Sequence, residues 1–357
     1  HSYDIHTKYF LEHWFASPTA VFIPKEGKAI VITSIMESMM VDENAFDVRP
    51  YKKGAELFDY LREILNKQPE KSKVALNIVS PSELLDFFAM DILAHGTAEA
   101  LKQLNPKLEY TSAREIIFDV RSVKTQKEIE NHKKAAELAE ELMKEEIEPI
   151  IKPGITEKEL AARINYECNK RGGVAFDAIV ASGPHSAIPH HSGNDTKLKE
   201  NQVLLIDYGV AYNLSNSDIT HTYWIGPKDP PEEVERAYQA VDSAKRAAFK
   251  AIKAGVISSE VHEIVKQTFK DFGYDPEKYF LHSTGHPLGI ETHDIGIGIR
   301  QGTEEAPGKP LIENSVITVE PGLYFQGKFG IRLEDDVVVT KSGIMRLTNT
   351  PSELLVL

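Results

Sequence analysis

The chain has 357 residues, 41% apolar and 27% charged, which excludes a disordered polypeptide and, at about 150 residues per domain, predicts two domains. A formal charge of -13 excludes a basic nucleic-acid-binding face, and no run of roughly 18 apolar residues predicts a membrane span. The single cysteine, Cys168, rules out an intrachain disulfide or a thiolate zinc site, so any metal must be held by oxygen and imidazole.

The start, His1-Ser2-Tyr3-Asp4, has no signal-peptide pattern, and a cytoplasmic protein is expected. Residues 17–34 predict two β-branched strands joined by a glycine-containing turn. Helical patterns follow at 54–66 and 80–104, the second opened by Ser80-Pro81-Ser82, with a short strand at Val74–Ile78 between them. These elements form a small α/β unit ending at residue 118, and Asp119–Thr125 is the boundary segment. Lys127–Glu148 then predicts a long helix, apolar and alanine positions on one face and Glu/Lys pairs on the other.

Two later stretches resemble each other. Lys152–Leu160 and Lys253–Val261 share the form Lys-x-Gly-apolar-x-x-x-Glu-apolar, 101 residues apart. Each follows a long helix (127–148 and 231–254), opens a second one, and leads into β-rich sequence with a carboxylate-bearing hairpin. Thr156 and Glu159 predict a capping box. The common order of elements predicts an internal two-fold duplication that faces one hairpin from each half across a cleft.

Asp207 interrupts the apolar strand Val203–Val210, and Asp218 opens the returning strand after the turn at Asn213–Ser217. Glu320 and Glu334 stand seven residues either side of Gly327, which sets them opposite one another in a simple antiparallel hairpin. Buried like charges repel, and a cation between them removes the conflict. His286 and His293 lie among Gly285 and Gly289, and Pro189-His190-His191 adds an imidazole pair. A lone histidine is usually structural, so His6, His13, His95, His132, His185, His262 and His282 are assigned no role.

In order and spacing, Asp207, Asp218, His286, Glu320 and Glu334 resemble the five-ligand signature of the pita-bread metallopeptidases. The resemblance includes Asp-x-Gly (207–209), Ser-Asp-Ile-Thr (217–220), Gly-His-x-x-Gly (285–289), Glu-Pro-Gly (320–322) and Arg-x-Glu-Asp (332–335). It covers residues 119–357 and implies an α+β pita-bread catalytic domain with an internal pseudo-two-fold. Residues 1–118 resemble the α/β N-terminal domain of the proline-peptidase branch, prolidase and aminopeptidase P. Creatinase has both domains but lacks the ligands.

By this resemblance the five side chains hold two divalent ions per chain, Mn, Co, Fe or Zn. Asp207 binds through both oxygens, Asp218 and Glu334 bridge, and His286 and Glu320 complete the other ion's shell. A hydroxide between the metals attacks the bond before proline. Glu320 is the general base, His190 and His293 face the substrate, and Arg332 orients the carboxylates. The resemblance implies a homodimer acting on small peptides, a dipeptidase ahead of an aminopeptidase P, with a pita-bread binding protein that has lost catalysis as the other class.

Two positions depart from the family. His221 stands where Arg is usual, and Ile297 stands where archaeal-type prolidases place the Arg expected to hold the dipeptide carboxylate. Arg300 lies three residues beyond Ile297.

Overall fold

The computed structural model describes residues 5–78, 93–304 and 307–357. Two compact units result, His1–Phe118 and Asp119–Leu357. In the first, α1 (Ile5–Leu11) precedes the hairpin of β1 (Ala20–Phe22) and β2 (Ile30–Ser34), the two strands expected over 17–34. β3 (Asp47–Tyr51), which the sequence reading missed, runs parallel to β2, and its proline sits on this edge strand. α2 (Gly54–Asn66) has the expected bounds and buries Leu61, Ile64 and Leu65 on one helical face, Leu61 and Ile64 in a cluster with Ile32 and Tyr51.

The strand expected at Val74–Ile78 is β4 (Lys73–Leu76). Of the helix expected over 80–104, α3 (His95–Leu104) is observed, while the Ser80-Pro81-Ser82 start lies outside the described residues. β5 (Glu109–Ser112) pairs parallel with β4. α4 (Arg114–Ser122) is helical through half of the segment read as a connector, and its amphipathic spacing accounts for the difference.

In the second unit α5 (Gln126–Leu142) starts at Thr125, whose hydroxyl accepts the Glu128 N–H while the Glu128 carboxylate accepts the Thr125 N–H. It ends six residues short of the predicted Glu148, relaxing into a π turn over Met143–Ile147 and a 3-10 turn at Glu148–Ile150. Pro149 has no N–H to extend an α-helical ladder. α6 (Glu157–Arg171) carries the predicted Thr156–Glu159 capping box. β6 (Ile179–Ser182), β7 (Gln202–Tyr208), a tight β8 (Ala211–Tyr212)–β9 (Ser215–Asn216) turn and β10 (Ile219–Ile225) follow.

The second half repeats the scheme with α7 (Glu232–Ala251), α8 (Ser258–Asp271), a short α9 (Pro276–Tyr279) and strands β11 (Val316–Val319), β12 (Gly322–Phe325), β13 (Phe329–Arg332) and β14 (Asp335–Val339). β15 (Ile344–Arg346) extends the β11–β14 pair. The final strand, β16 (Leu355–Val356), lies parallel to β10 at the edge of the sheet β16-β10-β7-β6.

The duplication reaches individual hydrogen bonds. Gly154 N–H donates to Leu198 C=O and Leu198 N–H to Ile155 C=O. Gly255 N–H donates to Leu311 C=O and Leu311 N–H to Val256 C=O. Both glycines have positive φ, +99° and +86°, which a side chain would strain. Each half also has its own core. Leu142, Leu160 and Ile164 pack on Leu204 and Ile206 in the first, and Val241, Val265 and Phe269 share a cluster with Ile317, Val319 and Val337 in the second. The inner strands are thereby fixed against rigid helices.

His132, on the buried face of α5, donates Nδ1–H to the Asn216 carbonyl at 2.8 Å, a structural role that agrees with leaving it unassigned. Burial, helped by nearby Lys124, pushes its pKa down to about 4. The folded state thus binds fewer protons than the unfolded state between pH 6.5 and 4, so stability falls as pH drops through that window. For His132 alone the loss is about 3 kcal/mol. His132→Gln, which keeps a donor, should flatten the pH dependence of unfolding free energy by that order, as chemical denaturation at pH 7 and pH 4.5 would reveal.

Candidate metal centre

β7 and β10 pair antiparallel with Asp207 opposite Thr220. Asp218, two residues before Thr220, therefore shares the face of Asp207, because side chains alternate along a strand. In the second half the β12–β13 ladder pairs Gly322 with Arg332, and the β11–β14 ladder pairs Val319 with Asp335. Both ladders share one register centred on Gly327. Glu320 and Glu334 occupy the break between them, opposite one another, as their symmetric spacing predicts.

The two hairpins meet face to face. Thr220 Oγ1 donates to Glu334 Oε2 at 2.6 Å, and Thr222 Oγ1 donates to the Arg332 carbonyl at 2.8 Å. His286 Nε2 lies 3.4 Å from Asp218 Oδ2 and 3.7 Å from Glu320 Oε1. Its Nδ1 bonds the Pro287 carbonyl at 3.1 Å and so carries the proton, which leaves the Nε2 lone pair directed at the carboxylates. Asp207, Asp218, His286, Glu320 and Glu334 thus converge.

The electrostatics are those of an unbalanced anionic pocket. Burial, then Glu334 and Asp207, holds Asp218 well above the carboxylate range, and burial with Glu320 and Asp207 does the same to Glu334. Burial raises Glu320 to about 8 despite the Arg332 cation. The imidazole of His286 is driven down to about 3, chiefly by burial, and is neutral.

A divalent cation fits this donor set. Asp218, His286 and Glu334 each offer an atom within 4.8 Å of the others. Asp207 Oδ2 accepts from Arg332 Nη2 at 2.6 Å, whereas its Oδ1 is buried with no hydrogen-bond partner. An orphaned carboxylate oxygen aimed at other acids is costly unless a cation receives it. Oxygen donors with one imidazole suit Mn, Co, Fe or Zn alike.

Arg332 ties β7, β10 and β12 to the loop at Pro189. Nε donates to Thr220 Oγ1 at 3.0 Å, and Nη1 to the Tyr324 hydroxyl at 2.9 Å and the Pro189 carbonyl at 3.3 Å. The His293 ring centroid lies 4.0 Å from that of His286. His190 is exposed, near enough to His282 and His293 to depress their protonation.

His282, assigned no role from the sequence, belongs to this group. Its Nδ1 is 3.8 Å from Glu320 Oε2, and Nε2 accepts from the Tyr324 hydroxyl at 2.7 Å. The available signal was its position four residues before His286 in the same segment. Tyr324 and Thr220 were also missed, although both share a face with named residues. His185 joins His191 and Glu157 in a separate cluster.

The two departures fall away from the five converging side chains. His221 pairs with Ile206 and faces the other side of the sheet, between Tyr208 and Tyr223 rings at 6.3 and 5.7 Å. Ile297 packs against the apolar core of the second half. Arg300 lines a cavity of about 280 Å³ that His282, His262 and Leu281 also border.

A raised folded-state pKa means that Asp218 costs stability increasingly as pH climbs above its unfolded value of 3.8. In chelated protein at pH 8, Asp218→Asn should therefore raise Tm. With a divalent cation present the sign should invert, because a ligand is lost. Thermal melts of both proteins with and without Mn or Co would test the inversion, and a Tm that falls in both conditions would contradict it.

Among known proteins, the family model for metallopeptidase family M24 matches residues 130–341. A Xaa-Pro dipeptidase of Pyrococcus furiosus is 33% identical over 94% of this chain and 88% of its own length. The structure of an X-Pro aminopeptidase from Thermotoga maritima superposes with a TM-score of 0.85 at 31% identity, covering 100% of this chain and 95% of that one. The prolidase of Pyrococcus furiosus gives 0.80 at 29% identity, over 98% and 95% of the two chains.

Proposed function

The chain belongs to metallopeptidase family M24, and from that premise we propose that it is an exopeptidase cleaving the Xaa-Pro bond of dipeptides with two divalent ions. The observation that carries this reading is the convergence of Asp207, Asp218, His286, Glu320 and Glu334, two hairpins in register around one neutral imidazole. These five side chains would hold the ions. When bound, the ions supply a Lewis acid for the scissile carbonyl and lower the pKa of water.

The remaining chemistry belongs to the chain. Glu320, whose carboxylate lies between His286 and His282, takes the proton of the attacking water and delivers it to the leaving amine. His293 and His190 donate hydrogen bonds where negative charge develops on the substrate oxygen. Arg332 fixes Asp207 through Nη2 and keeps the two hairpins in one geometry.

Arg300 takes the role of the arginine that Ile297 displaces, and holds the substrate carboxylate in the cavity beside His282. The second reading, an Xaa-Pro aminopeptidase, is favoured by the apolar Ile297 and by the close fit to the Thermotoga maritima structure. The protein works as a homodimer in the cytoplasm, in keeping with the pattern of such peptidases; among the described residues no helix is long and apolar enough to cross a membrane.

Metal-loaded protein should hydrolyse Xaa-Pro and leave Xaa-Pro-Xaa intact. Cleavage of the tripeptide would establish the aminopeptidase reading, and inertness toward both would point to a binding protein without catalysis. For the dipeptide, Arg300→Ala should raise KM at least tenfold with kcat changed less than threefold, since a lost charge contact is worth on the order of 1.5–3 kcal/mol. An unchanged KM would remove Arg300 from the substrate site.

A further inference from the structure

Glu157 opens α6 outside the centre described above, and its side chain is completely buried. Its carboxylate gathers donors from a single segment, residues 182–194. Oε1 accepts Ser182 N–H at 2.8 Å, Ser182 Oγ–H at 2.7 Å and His185 Nδ1 at 2.9 Å. Oε2 accepts His191 Nε2 at 2.8 Å and Asn194 N–H at 3.4 Å. Such a carboxylate organises the loop around it as a helix N-cap organises a turn, because each donor loses a partner if it moves.

The same segment is tied on its other side to the strand that carries Arg332. Ser186 Oγ accepts Gly330 N–H at 2.8 Å, and the Pro189 carbonyl accepts Arg332 Nη1 at 3.3 Å. A Cβ at Gly330 would sit 2.1 Å from the Ser186 carbonyl, so only glycine allows this approach. Between the two anchors stands His190. It is exposed and flanked by Pro189, bonded to Arg332, and His191, bonded to Glu157.

We propose that Glu157, acting through His185 and His191, is the positioning group that aims His190 at the substrate. This inference rests on the substrate-facing role given to His190 above. A cation is the competing occupant, since Glu157, His185 and His191 offer three ligand atoms within 4.8 Å. The carboxylate's other partners argue for the hydrogen-bonded arrangement. Ser182 N–H, Ser182 Oγ–H and Asn194 N–H already occupy most of its roughly four lone-pair sites, which leaves little capacity for a metal beside the two imidazoles.

A double-mutant cycle on metal-loaded protein with an Xaa-Pro substrate tests the role. Glu157→Gln, which turns an acceptor oxygen into a donor, should lower kcat at least tenfold with KM within threefold, as expected for a misaligned group. His190→Ala should lower kcat similarly, and the double variant should be no more than about twofold slower than His190→Ala alone. If Glu157→Gln does not fold, His191→Phe carries the same comparison. A further loss in the double variant, or an unchanged kcat in Glu157→Gln, overturns the positioning role while leaving the function intact. An unaffected His190→Ala, or a wild-type chain inert toward the substrate, overturns the assignment on which it rests. Metal analysis separates the competing occupant: one equivalent fewer in Glu157→Gln than in wild type makes the cluster a metal site and refutes the proposal.

Discussion

The structure depends on a conflict of charge. Asp207, Asp218, Glu320 and Glu334 are brought together with the neutral imidazole of His286, and among the described residues the one guanidinium hydrogen-bonded to the four, that of Arg332, donates to Asp207. Two like charges 4 Å apart repel by about 4 kcal/mol at the effective dielectric of a protein pocket. Hydrogen bonds from Thr220 and Arg332 offset part of this, yet Asp207 Oδ1 is left without a donor. A fold can hold such a cluster only if the strands beneath it cannot move apart. That requirement explains why each hairpin is backed by its own helix pair and core.

The duplication supplies this rigidity twice. In each half a positive-φ glycine turns the chain between two helices and is clamped by reciprocal hydrogen bonds to the segment that leads into the carboxylate strand. Both hairpins are then presented on equivalent supports. They are chemically unequal, however. The first places Asp218 and Thr220 on one face of β10 and its approach, whereas the second interrupts its ladder at Glu320 and Glu334. The break frees both glutamates from sheet pairing, and Thr220 bridges across to Glu334 to lock one half against the other.

Much of this arrangement was legible in the sequence because a hairpin's register follows from the distance of each residue to its turn. The symmetric placement of Glu320 and Glu334 about Gly327 needed no tertiary information. The paired forms at Lys152 and Lys253 likewise announced the duplication. Other elements depended on contacts that sequence does not display. β3 and β5 pair parallel to the strands before them, which needs a crossover rather than a turn, and β16 joins a sheet begun at β6, 130 residues after β10 ends at Ile225. His282 and Tyr324 look ordinary until the loop and hairpin meet, and Leu214 adopts φ +64° in a turn where a glycine or asparagine would be expected.

The same physics divides the site into a part that resists change and a part that accepts it. The four carboxylates sit on strands or at their ends, where a one-residue slip would turn a carboxylate into the core, and His286 lies between isolated bridges at Gly285 and Pro287. His190 and Arg300 lie instead on connecting segments, each anchored by a few named bonds or one strand-like bridge at Ile299. The substitution of Ile297 into an apolar core is tolerable there because it leaves the carboxylate register untouched. Differences in which peptide is accepted should therefore arise in these segments. The Glu157 cluster has this logic: buried hydrogen bonds give one exposed loop histidine the precision that the strands give the metal-facing side chains.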